Sequence, residues 1–171
     1  MKKIILLFVL PIISFSQYTI IPDQGFAEAL QYYYGIVLYD TDGQFQVLNN
    51  DINAMESINI QSSSWNISDL TGIEAFTSLE TLTITNQSSL TSLDVSQNIF
   101  LDYLNCSDNN LTELNVTGNV FLESLITNNN NLTTHRQANC TCTRSLLSVT
   151  LEEGSFLRWF ELHVPKPSFP P

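Results

Sequence analysis

The chain has 171 residues and is 43% hydrophobic, which suits one domain with a packed core and terminal extras. Acidic residues outnumber basic ones 17 to 6, a formal net charge of −11, and no Lys or Arg occurs between residues 4 and 134. Such a surface repels phosphates, so nucleic acid and anionic membranes are poor partners; a cationic partner or a divalent cation fits better, as does a charge that serves only solubility.

Residues 1–16 read as an export signal. Lys2 and Lys3 form a positive start, Ile4 to Ile13 an apolar stretch, and Ser14 and Ser16 the small-x-small pattern of a cleavage site before Gln17. The apolar stretch is too short to span a bilayer, and no other segment is long and apolar enough to do so. No Cys follows it, which argues against a lipid anchor. The expected location is therefore secreted or at the cell surface.

Residues 17–51 read as an N-terminal cap. Asp23 marks a helix start, Phe26, Ala27, Leu30 and Tyr34 lie on one face, and Gly35 suits a C-cap. A helix here would cover the open edge of whatever follows. "YDTDGQ" is a turn: Asp40 and Asp42 have calcium-ligand chemistry, but the rest of an EF-hand loop is missing.

Residues 52–134 repeat. Leu79, Leu90, Leu101, Leu111, Leu122 and Leu132 recur at steps of 10 or 11 residues. Three positions on from the first five lie Leu82, Leu93, Leu104, Leu114 and Leu125; two further on, Ile84, Val95, Cys106, Val116 and Thr127. L-x-L is a strand signal with both side chains on one face. Gln87, Asn98, Asn109, Asn119 and Asn130 then fall where the backbone must bend away, and an amide can satisfy buried turn groups there. Stacking the copies predicts a ladder of Asn98, Asn109, Asn119 and Asn130. Alternate copies are more alike, so the unit is a pair of half-units, about 21 residues long.

The pattern L-x-x-L-x-L-x-x-N resembles leucine-rich repeats. "LTSLDVSQN" alternating with "LDYLNCSDN" resembles the nested 21-residue form common in secreted bacterial proteins. Upstream, "INIQSSSWNISDLTGIEAFTSLETLTI" resembles the internalin-like form, with Asn66 before Ile67 as its turn Asn. A three-residue excess around "SSSW" predicts a small bulge with Trp65 packed across it. The resemblance implies an α/β-type leucine-rich repeat solenoid: parallel short strands, a mostly extended convex side, an N-terminal helical cap and an irregular tail. Half-units of 10 or 11 residues leave no room for convex helices.

Residues 135–171 break the pattern. They hold both His, four of the six Pro and four of the six basic residues. Two readings stand open: a segment capping the last coil, or an array interrupted by a change of reading frame, with "PKPSFPP" disordered in either case. Of the three cysteines, Cys106 fills an apolar slot of the repeat, while Cys140 and Cys142 form C-T-C in the tail without the partners of a zinc site.

No Ser-His-Asp set, phosphate loop or metal motif occurs, so the expectation is a non-enzyme without cofactor or metal. Two surfaces stand out. Glu56, Glu80, Asp102 and Glu123 follow the first apolar slot of successive coils, which predicts a column of carboxylates ~4.8 Å apart. It reads either as a hydrated edge or as a landing strip for a basic ligand or Ca²⁺. The outward strand positions include Thr81, Thr83, Tyr103, Asn105, Ser107 and Asn128, a polar face with one aromatic anchor. The family resemblance implies a secreted or surface-displayed binding module contacting protein or glycan. The alternative is a truncated structural fragment of a longer adhesin without independent binding.

Overall fold

A strand with apolar residues on one face buries them only if another strand or coil lies above and below it. The computed structural model describes residues 17–132 and 148–150; residues 1–16, which read as an export signal, and most of residues 133–171 lie outside the described residues. In chain order the elements are β1 (Tyr18–Ile21), α1 (Gln24–Tyr34), β2 (Tyr39–Thr41), β3 (Gln44–Leu48), α2 (Asn49–Ile52), β4 (Ser57–Ile60), β5 (Thr81–Ile84), β6 (Ser92–Asp94), β7 (Tyr103–Asn105), β8 (Glu113–Asn115), β9 (Ser124–Ile126) and β10 (Ser148–Thr150).

The repeats form a leucine-rich repeat solenoid. β4, β5, β7, β9 and β10 make one parallel sheet, stacked in that order. Ile58 pairs with Leu82, Leu82 with Leu104, and Leu104 with Leu125, so the L-x-L positions pile up without slippage. The intervening half-units cross to the other side of the coil, where β6 and β8 pair in parallel with Leu93 opposite Leu114. Leu82, Leu93, Leu104, Leu114 and Leu125 are all buried in one continuous core. Among the described residues, the segments between the repeat strands are extended apart from two 3₁₀ turns, Ser63–Trp65 and Ile73–Ala75, both in the longer first repeat.

The inner turns show why amides recur. Asn109 Nδ2 donates to the carbonyls of Ile84 and Cys106, and its Oδ1 accepts from the N–H of Gln87. Gln87 Oε1 in turn accepts from Ile67 N, and Asn130 Oδ1 from Leu111 N. On the opposite side, Asn98 Nδ2 donates to Ile73 O and Phe76 O, and Asn119 Nδ2 to Val95 O and Asn98 O. The single ladder expected of Asn98, Asn109, Asn119 and Asn130 is thus two: Gln87–Asn109–Asn130 beside the large sheet, and Asn98–Asn119 beside the small one. Successive half-units lie in separate sheets on opposite sides of the coil, so only alternate copies stack on one another.

The cap is built around Asp23. Its Oδ1 accepts from Phe26 N at 2.8 Å as the N-cap of α1, and its Oδ2 accepts from Ser68 N and Ser68 Oγ at 2.9 and 2.8 Å. One carboxylate therefore starts the helix and fastens it to the first coil. Gly35 ends α1 at φ 67, where a side chain would be strained. Phe26, Ala27, Ala29 and Leu30 are buried against the repeats. Beside α1 lies an antiparallel sheet in the order β1-β3-β2, an addition to the helix expected of the cap. Asp42 and Gly43, both at positive φ, make the β2–β3 turn, and Asp40 Oδ1 accepts from Gly43 N. Asp40 is thus a turn residue, with the D-G pair as the hairpin signal.

The excess around "SSSW" is taken up as a 3₁₀ turn, Ser63–Trp65, with Ser62 Oγ accepting from Ser64 N. Beyond the repeat region expected over residues 52–134, Ser148–Thr150 pairs in parallel with Ser124–Ile126 and adds a strand to the sheet. Leu146, Val149 and Leu151 keep the L-x-x-L-x-L spacing, which is the sequence signal for that strand.

Two tests follow from the packing. Leu104→Ala empties a central slot and should cost ~2–5 kcal/mol in urea unfolding; a loss below ~1 kcal/mol would mean that the coil is not packed as described. Cys106 is fully buried, and burial pushes its thiol up to about 12. Iodoacetamide at mild alkaline pH should leave Cys106 unmodified in the native chain and alkylate it in urea, read by peptide mapping.

Candidate functional site

The large parallel sheet turns one side inward, so its other side is the surface built by repetition. Ser57, Thr81, Tyr103 and Ser124 form one row across it, and Asn59, Thr83, Asn105 and Ile126 the next. Short polar side chains at strand spacing shield one another. Thr83 and Ser107 are only 7% and 8% exposed, which corrects the expectation that both lie open to solvent. Thr81, Tyr103, Asn105 and Asn128 are half-buried.

A local motif explains part of this. Asn105 Oδ1 accepts from both Ser107 N and Ser107 Oγ, at 3.1 and 2.8 Å. Asn115 does the same with Thr117, and Asp94 Oδ1 accepts from Ser96 N. A D/N-x-S/T triplet closes these strands by an Asx turn. Asn105 and Ser107 therefore already engage each other. Asn128 O accepts from Asp108 N, which ties its backbone to the turn of the preceding coil. Tyr103, between Thr81 and Ser124, is the largest side chain of its row.

The four acids stack where the sequence places them. Glu80 N donates to Glu56 O, Asp102 N to Glu80 O, and Glu123 N to Asp102 O, at 2.8, 2.8 and 2.7 Å. Their backbones form one rung each at the entering edge of the sheet. Glu56, Glu80 and Asp102 are exposed and Glu123 is half-buried. Exposure lets water screen the repulsion between neighbours, so the column stands without internal bases. Among the described residues, no group of three or more His, Cys, Asp or Glu is arranged to hold a metal ion, and no helix is long and apolar enough to cross a membrane.

A second surface was not singled out from the sequence. Trp65 lies against Tyr32 and Tyr33, with ring centroids 5.5 and 5.9 Å apart, and Tyr33 lies against Tyr34 at 6.4 Å. Tyr32 is 72% exposed. Beside this cluster a shallow cavity of about 440 Å³ is lined by Gln61, Ser62, Ser63, Asn86, Ser88 and Asp108. The triplet "YYY" is the sequence signal, but only Tyr34 of the three falls on the apolar helix face, so helical periodicity says nothing of Tyr32 and Tyr33.

No family model and no curated protein matches the chain. Among solved structures, the functional domain of InlJ from Listeria monocytogenes, described as including a cysteine ladder, is similar at 27% sequence identity. The match covers 58% of this chain and 29% of that one, with a TM-score of 0.31. The chain thus spans well under two thirds of that structure's length. In this chain the described residues include one cysteine, Cys106.

The rung between Asp94 and Asn115 sets a pH dependence. Burial alone would raise the Asp94 carboxyl, but hydrogen bonds from Ser96 and Asn115 outweigh it and hold the group below its ordinary 3.8. A depressed folded value stabilises the fold above the ordinary value, and that contribution is lost as pH falls through the folded one. The stability gap between the natural chain and Asp94→Ala should be constant above about pH 5 and close in stronger acid. Urea midpoints across that range check it; a gap that persists undiminished at the acid end would assign it to packing instead.

Proposed function

We propose that the chain is an extracytoplasmic, non-enzymatic binding module, and that the face of the large sheet contacts a protein partner bearing basic side chains. The observation that carries this reading is the unbroken stacking of the sheet, which places Tyr103 amid rows of small polar residues and runs four acids along one edge. Rigid repetition holds the face in shape before contact, which lowers the ordering cost of binding. The acidic edge attracts a basic partner and steers its approach. The export-like residues 1–16 support action outside the cytoplasm, as does the resemblance of the repeats to those of secreted, internalin-like bacterial proteins. A glycan partner for the same face is less favoured, because Asn105 and Ser107 already engage each other.

A second reading has its own observation. β10 continues the sheet beyond β9, which favours a segment of a longer adhesin array whose role is to extend the stack. Under that reading the face binds nothing by itself.

Selection of a random peptide display library on the immobilised full chain separates the two. The binding reading expects enrichment of Lys- and Arg-rich peptides. Their affinity should fall about tenfold in Tyr103→Ala, within the range of an interface anchor. It should also weaken in a Glu80→Gln, Asp102→Asn double variant and with added salt. Recovery of no basic motif, or of one indifferent to all three changes, would favour the array segment.

A further inference from the structure

The aromatic cluster and the polar cavity meet at one short turn. Ser63 and Trp65 belong to the same 3₁₀ turn: Ser63 lines the cavity, and Trp65 packs its ring against Tyr32 and Tyr33. A second link runs through Asn59. The Tyr34 hydroxyl accepts from Asn59 N at 2.5 Å, and Gln61 Nε2 donates to Asn59 Oδ1 at 2.9 Å. The two features therefore adjoin on the first coil, the rings toward α1 and the cavity toward the next coils.

Both features are held in place. A Cβ at Gly25 would fall 2.0 Å from the Trp65 carbonyl oxygen, so only glycine lets α1 press against the turn and bring Tyr32 and Tyr33 to Trp65. Asn86 Nδ2 donates to Gln61 O, and Gln87 Nε2 to Ser62 O, which fixes the cavity floor to the next coil. Asn86 and Asp108 both adopt left-handed backbone, at φ 63 and φ 58, as stacked turns require.

The chemistry of the walls selects a ligand. The cavity lining carries amides, hydroxyls and one carboxylate, and no cation. That set repels phosphate and carboxylate ligands and gives an apolar molecule nothing to bury against. Hydroxyls that both donate and accept are matched by amides and serines. Exposed aromatic rings offer flat apolar faces with a polar tip, suited to the C–H face of a sugar ring. The cavity volume lies at the lower end of the roughly 300–1,000 Å³ of ligand sites, a size for a short saccharide rather than a macromolecular surface. We propose that Tyr32, Tyr33 and Trp65, with the cavity of Gln61, Ser63 and Ser88, form a binding site for a neutral saccharide. The site is separate from the sheet face and stands or falls independently of it.

The full chain carrying Trp159→Phe has Trp65 as its sole tryptophan. It is titrated with cellotriose, maltotriose, mannotriose and triacetylchitotriose, with trigalacturonic acid as the anionic comparison. At least one neutral trisaccharide should change Trp65 emission and bind by calorimetry, and the anionic one should not. Tyr32→Ala should weaken that binding about tenfold, and Ser88→Arg, which fills the cavity, should abolish it. Tyr32 is exposed enough that its truncation leaves the fold intact, so it decides the matter should Ser88→Arg misfold. The proposal is overturned by silence from every neutral trisaccharide, by binding of the anionic one alone, or by binding that Tyr32→Ala leaves unchanged.

Discussion

Every coil of this solenoid must turn its backbone through corners that face a dry interior. A peptide group left unpaired there costs about as much as a lost buried hydrogen bond. The amides of Gln87, Asn98, Asn109, Asn119 and Asn130 meet that demand by binding carbonyls of their own and the preceding coil. Leucine stacking supplies the larger share of the burial free energy, but it is indifferent to direction. The amides fix which backbone group lies above which, and therefore the register of the whole stack.

That register generates the surface. Because equivalent residues lie one strand apart, any side chain repeated in sequence becomes a row in space. Four acids become an edge, and small polar residues become a closely shielded face. Close approach has its own requirement at Gly118, where a Cβ would fall 2.1 Å from Ser96 O. Adjacent turns can meet there only without a side chain. On the same convex side Phe100 and Phe121 stack at 6.2 Å and 14°, another row made by repetition, and one left partly in solvent.

The N-terminal cap follows a different logic. It is a single-copy structure, so its contacts are specific rather than repeated. Asp23 both nucleates α1 and holds the first coil, and the three-stranded sheet of β1, β2 and β3 packs beside it. Such a cap gives the stack a defined end, and it brings aromatic side chains to one place that repetition could not assemble. The first repeat is longer than the rest and folds its excess into Ser63–Trp65, the turn that carries Trp65 to the cap and Ser63 to the adjoining cavity.

The solenoid is legible in the order of residues alone. Leu82, Leu104 and Leu125 announce the strands by spacing alone, because a strand buries alternate residues whatever surrounds it, and Asp23 and Gly35 bracket α1 by local capping chemistry. The acidic rungs were legible for the same reason: repetition converts spacing directly into position. Tertiary structure decided what depends on direction and on long-range approach. Half-units that look equivalent in sequence turn to opposite sides, which splits one Asn ladder into two. Thr83 and Ser107 are covered by neighbours from adjacent coils and by the Asx turn at Asn105. Tyr32, Tyr33 and Trp65 are brought together across some thirty residues by the bare backbone of Gly25. No local pattern encodes such a meeting, because it exists only once helix and coil are pressed together.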